Sequence, residues 1–131
     1  MEKIQHYVQG NWTTGKEEGI PIYDAVTGEA FTSVAIEGLD IPEILNYGRI
    51  KGGVLRKLTF QERGNMIKKL ALYLTKKKDA FYELSYRTGA TKVDSWIDIE
   101  GGFGNLFANA SLRKLFPNQP YHVEGDAIDL S

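Results

Sequence analysis

The run TFQERGNMIKKLALYL, residues 59–74, decides how the chain is to be read. Thr59 and Glu62 stand three apart at its head. That is the spacing of a capping box, in which the hydroxyl takes the N3 amide while the carboxylate reaches back to the cap. Met66, Ile67, Leu70, Ala71 and Leu74 follow at i, i+1, i+4, i+5 and i+8, one stripe of a helix. Lys76, Lys77 and Lys78 load the end of this helix, where cations favour the dipole. The helical period continues downstream. Phe81, Leu84 and Ser85 form the inward face of a further helix that stops at Thr88-Gly89, with Gly89 placed as a C-terminal cap. Thr91-Lys92-Val93-Asp94 is another start signal. From there Trp96, Ile99, Phe103, Leu106, Phe107 and Ala110 carry the longest helix to Leu115, ahead of Pro117.

Upstream, Asp40-Ile41-Pro42-Glu43 combines a capping side chain, a proline and an acid. It predicts a short helix bearing Ile41, Ile44, Leu45 and Tyr47, ended by Gly52-Gly53. Before it the residues are strand formers. Ile4 to Trp12 reads as a strand ending at the turn signal Gly10-Asn11. Ile20 to Asp24 reads as a short strand, Val26-Thr27-Gly28-Glu29 as a turn, and Ala30 to Ala35 as another strand with Phe31 and Val34 apolar. Tyr121 to Leu130 reads as a terminal strand or half of a hairpin, an edge awaiting a partner. The expected fold class is therefore α+β: a small antiparallel strand meander, about four helices that cover its apolar face, and a terminal strand. No repeat and no Pro/Gly/Ser linker divides residues 1–131, which read as one domain.

With 131 residues, 42% apolar and 25% charged, the composition is that of an ordinary globular chain. No run approaches the ~20 apolar residues of a membrane helix. MEKIQHYVQG also lacks the apolar stretch of a signal peptide, so a cytoplasmic protein without a membrane partner is expected. Cysteine is absent, which excludes disulfides, thiolate-bound metals and every thiol nucleophile.

The net charge of −1 hides a division of the chain. Residues 1–48 carry a net −6, residues 49–92 a net +9 and residues 93–131 a net −4. The simpler account of the basic block, with Arg56, Lys57, Lys68, Lys69 and Lys76 to Lys78, is a solvated face that pairs with the acidic flanks. A phosphate-attracting face is the sharper account. Nothing supplies the aromatic interleaving of a nucleic-acid surface, so no nucleic-acid partner is expected.

The chemistry candidates assemble into nothing. Glu100-Gly101-Gly102-Phe103-Gly104-Asn105 has two of three dinucleotide glycines and lies inside a helical stripe, where small residues more often admit another helix. Asp94 and Asp98, at i and i+4, share a helix face and could bind a cation or divide acid and base roles. More often such a pair is a solvated face near a helix N-terminus, where negative charge is favourable. His6 and His122 lack metal spacing. Ser95, Ser111 and Ser131 lack a nucleophile-elbow context. Trp12 and Trp96 are expected to anchor the core. No catalytic, cofactor-binding or metal-ligating residue is predicted.

The order of the pieces nevertheless resembles the N-terminal part of an aldehyde dehydrogenase. Gly10-Asn11-Trp12 matches the family's opening Gly-x-Trp, and Asp24 to Glu29 its Thr-Gly-Glu turn, followed by Phe31 to Ala35. Glu62 to Ala71 matches the helical part, and Thr88-Gly89 its helix-ending Thr-Gly. The stretches Ser85 to Thr91 and Val93 to Gly102 resemble one branch, the bifunctional phenylacetate-degradation proteins, in which the dehydrogenase is fused to an enoyl-CoA hydratase-like domain. Two positions depart from the family: Ala25 stands where a proline is common, and Arg87 where an acid can line an alkali-cation site.

The resemblance implies an incomplete domain, with an NAD(P) cofactor and a CoA-linked semialdehyde belonging to the parent enzyme. The family's nucleophile is a cysteine that attacks the aldehyde, and a hydride then passes to NAD(P). None of its catalytic or cofactor residues maps onto this chain. The expected partners are the remainder of the parent enzyme and further copies, joined through the 121–130 strand. The alternative is a stand-alone, non-catalytic helical module that self-associates or binds a partner through the same strand.

Overall fold

The computed structural model describes residues 2–123 and 125. Strands β1 (His6–Val8) and β2 (Asn11–Thr13) pair antiparallel, with Val8 opposite Asn11. The stretch read as one strand from Ile4 to Trp12 is thus a hairpin. Its two-residue loop needs left-handed backbone at both positions, supplied by Gln9 at φ 52° and Gly10 at φ 83°. Strands β3 (Ile20–Tyr23) and β4 (Ala30–Val34) form a second hairpin close to its predicted bounds. Its turn is built by Asp24, whose carboxylate accepts from the Val26 amide at 2.8 Å, and by Gly28 at φ 74°. The leading segment joins this hairpin through Ile4 N–H to the Ser33 carbonyl at 2.8 Å.

Helix α1 (Ile41–Lys51) starts at an Asp40 cap and stops at Gly52. A single turn, α2 (Gly53–Lys57), follows. Helix α3 (Phe60–Thr75) carries the full Thr59/Glu62 capping box, and α4 (Lys78–Tyr86) comes next. Helix α5 (Lys92–Ser111) has the same device at Thr91/Asp94 and continues as a 3-10 turn over Leu112–Leu115. Lys78 therefore opens α4 rather than closing α3. The architecture is the expected α+β: two small antiparallel hairpins and a group of packed helices. No helix among the described residues is long and apolar enough to cross a membrane.

Helices α3 and α4 both lie against α5. Gly64 lets α3 cross closely, since a Cβ there would stand 3.0 Å from the Ala110 carbonyl oxygen and 2.6 Å from Arg113 Cδ. Ala71 and Ala110 are buried on the facing helices, and Ser95 is buried nearer the start of α5. Gln61 Nε2 donates to the carbonyls of Arg113 (2.9 Å) and Phe116 (3.2 Å), tying the start of α3 to the segment that follows α5.

The expected cover of helices over the strands is not formed. Among the described residues Ile20 is 72% and Trp12 65% exposed, and Trp96 on α5 is 55% exposed, so neither tryptophan anchors a core. The only buried hydrophobic residues among those described are Ala35, Ala71 and Ala110. The chain exposes 10266 Å², against about 7,000 Å² for a compact monomer of 14.7 kDa. The eight residues outside those described can account for at most about 1,300 Å² at full extension. A surplus of roughly 2,000 Å² therefore belongs to the described residues. Of the terminal strand read at 121–130, Tyr121–Val123 lack strand pairing; residue 124 and residues 126–131 lie outside the described residues.

Candidate functional site

An open groove of about 550 Å³ runs between α4 and α5, lined by Lys78, Tyr82, Tyr86, Val93, Trp96 and Glu100 among others. Tyr82 and Lys78 sit on one face of α4, four residues apart, and both reach Glu100 on α5. Tyr82 Oη donates to Glu100 Oε1 at 2.9 Å, and Lys78 Nζ lies 3.3 Å from the same oxygen. The phenol hydrogen bond and the ammonium hold the Glu100 carboxyl below its ordinary range. Burial and Glu100 push the Tyr82 phenol up. Both shifts move away from neutrality, so Glu100 stays ionised and Tyr82 protonated near pH 7. General acid–base work needs the opposite arrangement. This cluster pins α4 to α5, as do the hydroxyls of Ser85 and fully buried Ser95 at 2.9 Å.

The other sequence candidates take structural places too. Asp94 accepts from Thr91 N (3.1 Å) and Thr91 Oγ1 (2.6 Å), bonds that lower its pKa and spend the carboxylate on a helix cap. Asp98 lies one turn further along α5. His6 Nε2 donates to the Ala35 carbonyl at 2.8 Å, and the His122 ring sits edge-on to Phe116. Ser111 Oγ donates to the Ala108 carbonyl at 2.7 Å; Ser131 lies outside the described residues. Among the described residues no three His, Asp or Glu side chains gather as a metal site. The basic block forms one ion pair with its acidic flanks among the described residues, Lys78–Glu100, so the expected broad pairing is absent there.

The glycine run at 101–104 does not form a phosphate loop. Gly102 and Gly104 lie mid-helix in α5, where the backbone N–H groups are spent on the helix itself. The two departures from the family pattern meet in space. Ala25 N–H donates to the Arg87 carbonyl at 2.8 Å, a bond proline could not make, and the Arg87 guanidinium lies 4.6 Å from the Phe31 ring centroid.

In sequence the chain is similar to an aldehyde dehydrogenase. It is 32% identical over 131 residues, 98% of its length, to the 3,4-dehydroadipyl-CoA semialdehyde dehydrogenase of Aromatoleum evansii. The chain spans 25% of that protein's length. No protein-family model matches the chain.

The inward stripe of α5 is not the whole of its pattern. Val93, Ile97, Gly101, Gly104 and Ala108 also recur at helical spacing, half a turn away, a second row that a search for one apolar face leaves out.

Proposed function

We propose that this chain is the N-terminal structural part of an NAD(P)-dependent aldehyde dehydrogenase. The parent enzyme oxidises a CoA-linked semialdehyde in cytoplasmic aromatic catabolism, in the manner of the phenylacetate-degradation branch. The observation that carries this reading is the 98% alignment of the chain with a quarter of a CoA-semialdehyde dehydrogenase. The lack of any cysteine supports a scaffolding role, because the chain holds no thiolate to attack an aldehyde. The unburied surface of roughly 2,000 Å² supports it as well, since a self-contained domain of this mass would have buried that area. The nucleophile and the nucleotide site then belong to the remainder of the polypeptide, and further copies join through the segment at 121–130.

The test is the mass and activity of the native protein. Immunoblotting and intact mass spectrometry of source cells are expected to find a species several times heavier than 14.7 kDa. Once purified, that species is expected to reduce NAD or NADP with 3,4-dehydroadipyl-CoA semialdehyde. The 131-residue chain alone is expected to show no turnover. A native species of 14.7 kDa overturns the reading and leaves a self-associating or partner-binding module in its place.

A further inference from the structure

A second cleft, of about 580 Å³, lies where the strand half meets α4, a size that suits a small ligand. Ala80, Glu83, Leu84 and Arg87, at i, i+3, i+4 and i+7, present one face of α4 and its C-cap to it. Ile4, Trp12 and Phe31 line it from the strand half. Glu83 and Arg87 stand four apart in the order that favours an ion pair. The one ion pair among the described residues is nevertheless Lys78–Glu100. The Arg87 guanidinium lies over the Phe31 ring instead, 4.6 Å from its centroid. Its N–H groups meet no acceptor among the described residues. Lys3, the other cation of the lining, donates to the carbonyls of Gly15 and Glu17.

The charges of this cleft select its ligand. Lys3 and Arg87 balance Glu2 and Glu83, so the lining as a whole is neutral. A simple anion on Arg87 meets the Glu83 carboxylate one turn away, and a simple cation on Glu83 meets the guanidinium. A dipolar ligand satisfies both. We propose that the cleft binds an α-amino acid with an apolar side chain. Its carboxylate takes the Arg87 fork, its ammonium the Glu83 carboxylate, and its side chain the exposed surfaces of Ile4, Trp12 and Leu84. A guanidinium fork receives a carboxylate through two parallel bonds, and the contact with Phe31 holds its plane in place. Arg87 and Glu83, side by side on α4, match a ligand whose two charged groups stand on one carbon. The site is built from this chain's residues and does not depend on a parent dehydrogenase.

The experiment titrates three probes by calorimetry into the 131-residue chain and into the complete polypeptide encoded with these residues. The probes are L-phenylalanine, phenylacetate, which lacks the ammonium, and 2-phenylethylamine, which lacks the carboxylate. Phenylalanine is expected to bind saturably to both proteins, and each of the other two at least about tenfold more weakly. Arg87→Gln is expected to abolish phenylalanine binding. Glu83→Gln is expected to weaken phenylalanine by about tenfold and to tighten phenylacetate, because the repelling carboxylate is gone. Should Arg87→Gln fail to fold, Glu83→Gln decides by that opposite response. No saturable binding of phenylalanine overturns the site. Equal affinity for the three probes, or a preference that Glu83→Gln leaves unchanged, overturns it too. Binding by the short chain and not by the complete polypeptide also overturns it, since the cleft is then filled by the polypeptide itself.

Discussion

Residues 2–37 and residues 59–116 close up by different means. In the strand half the locks are polar and reach the backbone. Lys3 Nζ donates to the carbonyls of Gly15 and Glu17, both at 2.9 Å. Glu17 Oε1 accepts from the amides of Ile36 (2.7 Å) and Glu37 (3.0 Å), and Ser33 Oγ donates to the Glu18 carbonyl at 3.2 Å. In the helical half the locks are small residues and aromatic rings. Gly64, Ala71 and Ala110 set the α3–α5 crossing and Ser95 the contact with α4, while Phe60 stacks on Phe116 at 4.5 Å and Phe81 meets Phe103 edge-on at 5.8 Å. Polar locks fix local geometry without much apolar area, so the hairpins hold their shape with Trp12 and Ile20 in water. Helical packing works through area, and here only one side of α5 has found any.

The contrast faces its hardest test at Gly15. A Cβ there would stand 2.4 Å from the Ala35 carbonyl carbon, a clash with backbone that cannot rotate away. Gly15→Ala is expected to cost about 3 kcal/mol, read from denaturant midpoints, with exchange protection of residues 30–37 lost first. Gly64→Ala probes the helical counterpart. Its clash is with Arg113 Cδ at 2.6 Å, which can swing aside, and with Arg113 Cβ at 2.8 Å, which cannot, while alanine regains helix propensity. A smaller net loss of about 1.5 kcal/mol is expected. An equal loss at the two sites would mean that the halves are locked alike.

Removing the caps ranks next. Thr59→Ala and Thr91→Ala each lose a bond to an N3 amide, at 3.2 Å in both boxes. Each is expected to cost about 1 kcal/mol in chemical denaturation and to leave the hairpins unaltered. A spread of the effect into residues 2–37 would show that the two halves unfold as one unit.

Acid should act on both halves. Glu17 is held low chiefly by the Glu37 amide, Asp94 by Thr91, and Glu100 by the Tyr82 hydroxyl. Each folded value lies below its unfolded one, so the unfolded chain binds more protons as pH falls through that interval. The stabilisation is complete above the unfolded values, near pH 4, and is lost as pH drops through the folded ones. Glu17→Gln is expected to remove that pH dependence from the exchange of the Ile36 and Glu37 amides alone. The smallest effect is expected for Tyr82→Phe, a Tm lowered by a degree or two with the acid response of α4 and α5 shifted upward. An unchanged acid response would detach Glu100 from the pinning role.

Local chemistry explains why the helices are readable. Thr59/Glu62 and Thr91/Asp94 announce their caps within four residues, and Gly89 marks a stop with its left-handed φ of 83°. The first hairpin looks like a single strand because Tyr7 and Trp12 form an apolar pair across a turn whose Gln9 is no usual left-handed residue. Trp12 and Trp96 escape a sequence reading for a different reason. An apolar side chain declares that it will be covered, and nothing in its own neighbourhood says by what. The absence of a thiol-based catalytic site is legible, because a missing cysteine removes that nucleophile in any fold.

By itself the sequence determined the α+β class, the capped helices, the charge division and the resemblance to aldehyde dehydrogenases, all carried by interactions or patterns within a few residues. Only the tertiary structure decided that Glu100 is a pin and that Ala25 bonds to Arg87. It alone showed that α5 is covered on one face and open on the other. Burial is a property of what approaches from a distance, and a chain's own period records the demand for it without recording the supply.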